Sequence, residues 1–315
     1  MIKAISLFSG AGGMDVGFKN AGVDVVLANE IDLNAANTFV ANHPDTKMIV
    51  GDINDNLHNF WDYTDIDLVF GGPPCQGFSV IGKMDPNDER SQLIWSFLKV
   101  VEIVRPKAFV MENVKSLATI NKWKGVREEY IKRAKELGYG CVPFVINAAE
   151  YGTPQKRERV FFIGIKDDTD FEEAIWNQIF SQRRKAPTVR QLFSDLGPAG
   201  TDRNPQTCNA KITFAVKPVM RRIPYDCLMF NGIGCPIDPD GYSRTITASM
   251  GGNMMLIVDD VFLHDPTADN WIQGYYDKLV SHEIIPEFKE AHRFIDSLEI
   301  FSLLANVADV KSLVI

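Results

Sequence analysis

The most constraining feature is an alternation that fills the first 165 residues. Short β-branched or apolar runs recur between longer stretches of helical pattern, the signature of a parallel sheet with crossover helices. The runs predict strands at Ala4–Phe8, Val25–Asn29, Lys47–Val50, Asp67–Phe70 and Ala108–Glu112, with helices between them, for example Ser91–Val104. The expected fold class is therefore α/β with a Rossmann-like domain.

After Gly164 the alternation weakens, and Pro, Gly and Asn become frequent, which places a domain boundary near residue 166. The expected organisation is a catalytic domain over 1–165, a smaller irregular domain over 166–285 and a helical segment over 286–315. In that last segment Phe294, Leu298, Phe301, Leu304 and Val307 recur at helical spacing.

Three strand ends of the first domain carry ligand-type residues. Phe8-Ser9-Gly10-Ala11-Gly12-Gly13 follows the first strand, where missing side chains let a ligand approach the backbone. Glu30 closes the second strand 18 residues after Gly12, a position from which a carboxylate accepts ribose hydroxyls. Asp52 closes the third, with Ile31 and Ile53 as flat apolar flanks for an adenine ring. No Gly-Lys-Ser/Thr pattern is present and no Lys or Arg follows the glycines to meet a pyrophosphate, which favours a cofactor without phosphates.

Of the five cysteines, none forms a Cys-x-x-Cys pair, so neither a zinc site nor a disulfide is expected. Cys75 stands apart from the others. In Gly71-Gly72-Pro73-Pro74-Cys75-Gln76 two glycines and two prolines frame the thiol after the fourth strand, so its position is set by backbone and not by packing.

Pro73-Pro74-Cys75-Gln76, Glu112-Asn113-Val114, Gln155-Lys156-Arg157-Glu158-Arg159 and the glycine turn resemble, in order and spacing, motifs of the DNA cytosine-C5 methyltransferases. The resemblance covers roughly residues 3–165. It implies an enzyme that uses S-adenosyl-L-methionine to methylate carbon 5 of cytosine in duplex DNA, of bacterial modification-methylase type. Cys75 would then be the nucleophile at C6, Glu112 the acid at N3, and Arg157 and Arg159, sharing one strand face, the groups that hold the base O2 and a neighbouring charge. Phe8, Gly10, Gly12, Glu30, Ile31, Asp52, Ile53, Pro74 and Leu93 would form the cofactor pocket. Residues 79–92 would form a loop that closes over a flipped base.

The net charge of −8 does not announce a nucleic-acid partner, but its distribution does. Between Ser181 and Arg222 nine basic residues face two acids, so that window carries +7 and the rest −15. It falls in the region expected to recognise DNA, where Arg203, Asn204, Gln206, Asn231 and Asn253 have side chains suited to reading base edges. Gly241–Asn253 resembles the stretch that closes this region in relatives.

The family's closing Arg-Leu-Thr-x-Arg-Glu and Gln-x-Gly-Asn segments are not recognisable in Arg293–Ile315. A truncated or frameshifted gene, a diverged ending, and a second polypeptide that supplies them are the expectations; a DNA-binding subunit inactive on its own is another. A tRNA cytosine methyltransferase shares the chemistry, but the Cys-Phe-Thr tripeptide of that branch is absent. No apolar run is long enough for a membrane span and no signal pattern follows Met1, so a cytoplasmic protein without metal or membrane is expected, and the resemblance implies a bacterial or phage origin.

Overall fold

A computed structural model describes residues 1–74, 92–198, 201–204, 221–222, 228–229, 235–246, 256–270, 273–274, 277–278, 281 and 283. By internal contacts the chain divides into two compact units, Met1–Ile146 with Glu158–Gln182, and Asn147–Arg157 with Arg183–Ile315.

The first unit contains β1 (Ile2–Leu7), α1 (Gly13–Asn20), β2 (Val23–Glu30), α2 (Leu33–Asn42), β3 (Lys47–Val50), β4 (Leu68–Gly71), α3 (Leu93–Val104), β5 (Ala108–Val114), α4 (Lys115–Thr119), α5 (Lys124–Glu136) and β6 (Tyr139–Asn147). A two-residue strand β7 (Gln155–Lys156) precedes β8 (Glu158–Lys166), and α6 (Glu172–Ser181) completes it. Seven strands form one sheet in the order β3-β2-β1-β4-β5-β8-β6. The five strands expected from the sequence all form, each within two residues of its expected start and end.

Neighbouring pairs from β3 to β5 are parallel, as the crossover pattern requires. The all-parallel expectation fails at β8, which enters beside β5 in the antiparallel sense. The strand β6 had no clear signal, because Pro143 interrupts its apolar run; it lies at the sheet edge, where a missing N–H costs no central ladder bond.

Local chemistry fixes the elements. Asp32 caps α2, its carboxylate accepting the Ala35 N–H at 2.8 Å. The helix α3 buries Ile94, Phe97, Leu98, Val100, Val101 and Val104, and stops at Arg105, which turns left-handed (φ 53°) in front of Pro106. Alternation along β4 sends Val69 into the cluster of Leu7, Phe97, Phe109, Met111 and Phe162, and Leu68 and Phe70 into the opposite layer with Met14 and Phe18. The Phe18 and Phe70 rings lie 4.0 Å apart.

The strand order reverses between β1 and β4, the point at which open α/β sheets form a crevice outside their carboxyl ends. There Leu7, Gly71 and Met111 are register partners on three adjacent strands. A Cβ on Gly71 would sit 2.1 Å from the Leu7 carbonyl oxygen, so only glycine lets β1 and β4 pair here.

In the second unit Gln155–Lys156 pairs in parallel with Ser243–Arg244, reinforced by Thr245 Oγ1 donating to the Lys156 carbonyl at 2.8 Å. The helix α7 (Val189–Phe193) begins with a reciprocal capping box between Thr188 and Gln191, and α8 (Asp260–His264) is capped by Asp259. No helix among the described residues is long and apolar enough to cross a membrane, and no group of three His, Cys, Asp or Glu there could hold a metal ion.

Candidate active site and cofactor crevice

The aligned strand ends set the site. The glycine turn leaves β1 beside the Gly72-Pro73-Pro74 turn that leaves β4, and Glu112 follows Met111 on β5. A Cβ on Gly72 would stand 3.1 Å from Glu112 Oε2, so the carboxylate lies directly against that turn. Asn113, buried, donates from Nδ2 to the Pro73 carbonyl at 3.2 Å and accepts the Val114 N–H, which braces the turn against β5.

The antiparallel β8 supplies the next group. Its register places Arg159 opposite Val114 and Phe161 opposite Glu112, so Arg159 and Glu112 meet diagonally on one face. Arg159 Nε lies 2.8 Å from Glu112 Oε1, with both side chains about four-fifths buried (19% and 20% exposed). The Glu112 carboxylate is thus both largely buried and paired with a guanidinium. A second pair, Lys115 to Glu158 at 2.7 Å, ties the same two segments at the surface.

Arg157 differs from the expectation. It sits between β7 and β8, where the strand is interrupted, so strand alternation does not carry from Arg159 across to it. Arg157 belongs to the second unit, and its carbonyl accepts the Ala148 N–H. Cys75 lies outside the described residues, as does most of the 79–92 loop; Pro74 is half-buried, and Leu93 is half-buried against the core at the first turn of α3.

In the cofactor crevice Phe8, Gly10 and Gly12 all have positive φ (53°, 56° and 93°). The two glycines serve different ends. A Cβ on Gly12 would meet His43 Nε2 at 2.4 Å, so this glycine permits close packing on α2, whereas Gly10 faces open space with no atom within 4 Å of its Cβ position. Glu30 accepts the Gly10 N–H on Oε2 and the Asp32 N–H on Oε1, both at 2.8 Å. Asp52 accepts the Asn54 N–H at 2.8 Å. Ile31 is 65% exposed, an apolar side chain standing free beside Glu30, but Ile53 packs into the core instead of flanking it.

Sequence reasoning gave Asn29 no role, yet this β2 residue is hydrogen-bonded to the turns on both neighbouring strands. It is 2% exposed, its Nδ2 donates to the Ile49 and Gly51 carbonyls at 3.0 and 3.1 Å, and its carbonyl accepts the Ser9 N–H at 3.1 Å. The only sequence signal is its type, an amide ending an otherwise apolar strand.

Asp15 was also unmarked. It lies fully buried in the first turn of α1, and burial pushes its carboxyl up to about 6, with the Ser6 hydroxyl pulling the other way. Because the folded value exceeds the unfolded 3.8, the unfolded chain binds fewer protons between the two, and stability falls as pH rises from about 4 to about 6. At roughly 1.4 kcal/mol per unit this amounts to about 3 kcal/mol. Asp15→Asn should remove that decline. Urea unfolding at pH 4 and pH 7 measures it, and parallel pH curves for the two proteins would refute the assignment.

The basic window is partly spent on structure. Arg190 pairs with both Asp240 oxygens at 2.7 and 2.9 Å and donates to the Phe262 and Leu263 carbonyls, tying three segments together. Arg183 pairs with Glu150 at 2.7 Å, and Arg184 Nε donates to the Tyr151 carbonyl at 3.0 Å. All three belong to the window expected to form a phosphate-binding surface; Arg190 is half-buried, whereas Arg183, Arg184, Lys185 and Arg203 are exposed. Asn204 is buried and braces a turn through the Gly197 carbonyl, so it does not present an amide to a groove. Gln206, Asn231 and Asn253 lie outside the described residues.

Comparison with known proteins gives a consistent answer. The chain is 41% identical over 222 residues to the Type II methyltransferase M.AquIA of a Picosynechococcus species, covering 62% of this chain and 90% of that protein. It is 44% identical over 170 residues to M1.HphI of Haemophilus parahaemolyticus, covering 52% and 45%, and 34% identical over 206 residues to M.NgoPII of Neisseria gonorrhoeae, covering 65% and 60%. The chain thus spans about half the length of the last two.

Two solved structures share the fold. A DNA modification methyltransferase encoded within an E. coli prophage matches with a TM-score of 0.54 at 23% identity, over 78% of this chain and 82% of that one. A mutant DNMT2 of Spodoptera frugiperda matches at 0.59 and 17% identity, over 93% and 83%. The family profile described as C-5 cytosine-specific DNA methylase matches residues 2–275, well over half of the sequence. By this match, and with a Rossmann-like sheet that carries the glycine turn, the Pro-Pro turn and the Glu112–Arg159 pair at adjoining strand ends, the chain belongs to the family of C-5 cytosine-specific DNA methylases.

Proposed function

We propose that this protein methylates carbon 5 of cytosine within a particular duplex DNA sequence, with S-adenosyl-L-methionine as donor and a covalent bond from Cys75 to the base. The observation that carries the reading is the common register of Leu7, Gly71 and Met111, which supports a shared crevice for the glycine turn, the turn leading to Cys75, and Glu112.

Cytosine C5 is too weak a nucleophile to accept a methyl group unaided. The Cys75 thiolate adds to C6, forming an S–C6 bond, and the ring electrons move toward N3 and O2. Glu112 delivers its proton to N3 as that charge develops, and C5 becomes enamine-like. Arg159 fixes the Glu112 carboxyl, leaving Oε2 beside the turn. Arg157 is assigned to the base O2 or a flanking phosphate. After methylation the C5 proton leaves to water and the S–C6 bond breaks, which restores the thiolate. The base reaches the thiol only when flipped out of the duplex.

The residues present fit an adenosyl cofactor. Gly10 leaves open space, each Glu30 oxygen keeps a lone pair after accepting its backbone N–H, and Ile31 offers an exposed apolar face. Asp52 is assigned to the adenine amino group, and Phe8, Gly12, Pro74 and Leu93 to the walls; Ile53 contributes backbone only. When bound, S-adenosyl-L-methionine supplies a methyl group on a positively charged sulfur. The 166–285 region is assigned to target recognition, with Arg203 and Lys185 as phosphate contacts.

The test uses duplex DNA of broad sequence content in which 5-fluorocytosine replaces cytosine. Fluorine cannot leave C5 as a proton does, so turnover stops at the covalent stage. A denaturation-resistant complex carrying labelled methyl is expected. An adduct on tRNA alone would move the substrate to RNA, and one that forms only after a second polypeptide is added would make this chain one part of a split enzyme. No adduct under any of these conditions would overturn the covalent mechanism.

A further inference from the structure

We infer that Asn29 is a positioning residue that assembles the cofactor crevice before any cofactor arrives, an inference that rests on the crevice binding S-adenosyl-L-methionine. The three turns of that crevice leave three separate strands, and Asn29, near the end of β2, is hydrogen-bonded to the ends of the other two. Its carbonyl holds Ser9 at the start of the glycine turn, and its side-chain amide spends both N–H groups on the Ile49 and Gly51 carbonyls at the end of β3.

The consequences reach the two acids assigned to the ligand. Gly51, with φ 132°, directly precedes Asp52, and its N–H donates to the Glu30 carbonyl at 2.9 Å, so the turn held by Asn29 carries Asp52 and is tied to the Glu30 backbone. The Glu30 carboxylate in turn holds the Gly10 N–H. Glu30, Asp52 and Gly10 thus form one hydrogen-bonded frame with Asn29 buried at its centre. Without the amide, the part-buried Ile49 and Gly51 carbonyls lose this donor, and the β3 turn is free to drift from β2.

This geometry predicts a selective defect. In Asn29→Ala the dissociation constant for S-adenosyl-L-methionine, measured by titration calorimetry, should rise about 10- to 100-fold, the scale of an unsatisfied buried group. The change should fall on the KM for cofactor, with kcat at saturating cofactor and affinity for duplex DNA moving far less. Amide hydrogen exchange at Ser9 and Gly51 should accelerate in the cofactor-free protein. Asn29→Ser, which keeps one donor, should recover part of the affinity and serves if the alanine variant does not fold.

A role in stability alone predicts a lower melting temperature with cofactor affinity within twofold of the parent, and that result in a folded variant overturns the inference. Failure of the parent protein itself to bind S-adenosyl-L-methionine would sink both the crevice assignment and this inference. Binding by the parent that survives in the variants sinks only the inference.

Discussion

Cys75→Ala should reduce methyl transfer by a factor on the order of 10⁴ to 10⁶, the scale on which loss of a covalent nucleophile acts. The magnitude follows from the substrate. Without sulfur at C6 the C5 carbon has no enamine character, and the rest of the site can still bind and orient a base it cannot activate. The variant should keep its melting temperature to within a few degrees and retain affinity for S-adenosyl-L-methionine. A packing role for Cys75 predicts the reverse, a stability loss of about 1 kcal/mol with activity preserved. Rate and adduct formation on 5-fluorocytosine DNA, measured together, separate the two, and turnover above a hundredth of the parent rate would end the case for a nucleophile.

Glu112→Gln comes second, with an expected fall in kcat of about 10²- to 10⁴-fold, the range for a lost general acid. Glutamine is the informative replacement because its amide oxygen can still accept the Arg159 N–H that Glu112 Oε1 accepts at 2.8 Å. Alanine would leave a guanidinium that is four-fifths buried without that partner, mixing a folding defect into the kinetics. Binding of DNA and cofactor should change little in the glutamine variant, since the proton is needed only as charge builds on N3. Retention of more than a tenth of the parent kcat would show that N3 is protonated by another group.

Much of this architecture was legible in the sequence. The β1 to β5 runs are short, apolar and separated by helical pattern, so local chemistry alone predicts their place and their parallel order. Gly10, Gly12, Glu30 and Asp52 were marked because ligands bind where strands end, and Glu112 was marked by its motif's resemblance to the family. Burial could not be read the same way: Ile31 and Ile53 have the same side chain after consecutive strand ends, yet one stands free and the other fills the core. Which of them meets solvent depends on the layers above the sheet, not on neighbours in the chain.

The charge pattern shows the same division more sharply. Composition placed +7 between Ser181 and Arg222, but it could not tell free cations from engaged ones. Arg190 finds Asp240 fifty residues downstream and the Phe262 and Leu263 carbonyls still further on. Asn29 likewise meets its acceptors 20 and 22 residues away, and the reversed β8 lies between β5 and β6 although it follows both. Strands and turns were readable along the chain because propensity, periodicity and glycine or proline geometry act over a few residues, and the catalytic roles followed from the motifs' resemblance to the family. Which polar groups become partners emerged with the fold, because a hydrogen bond or ion pair depends on distance in space, and folding brings together residues that no local pattern connects.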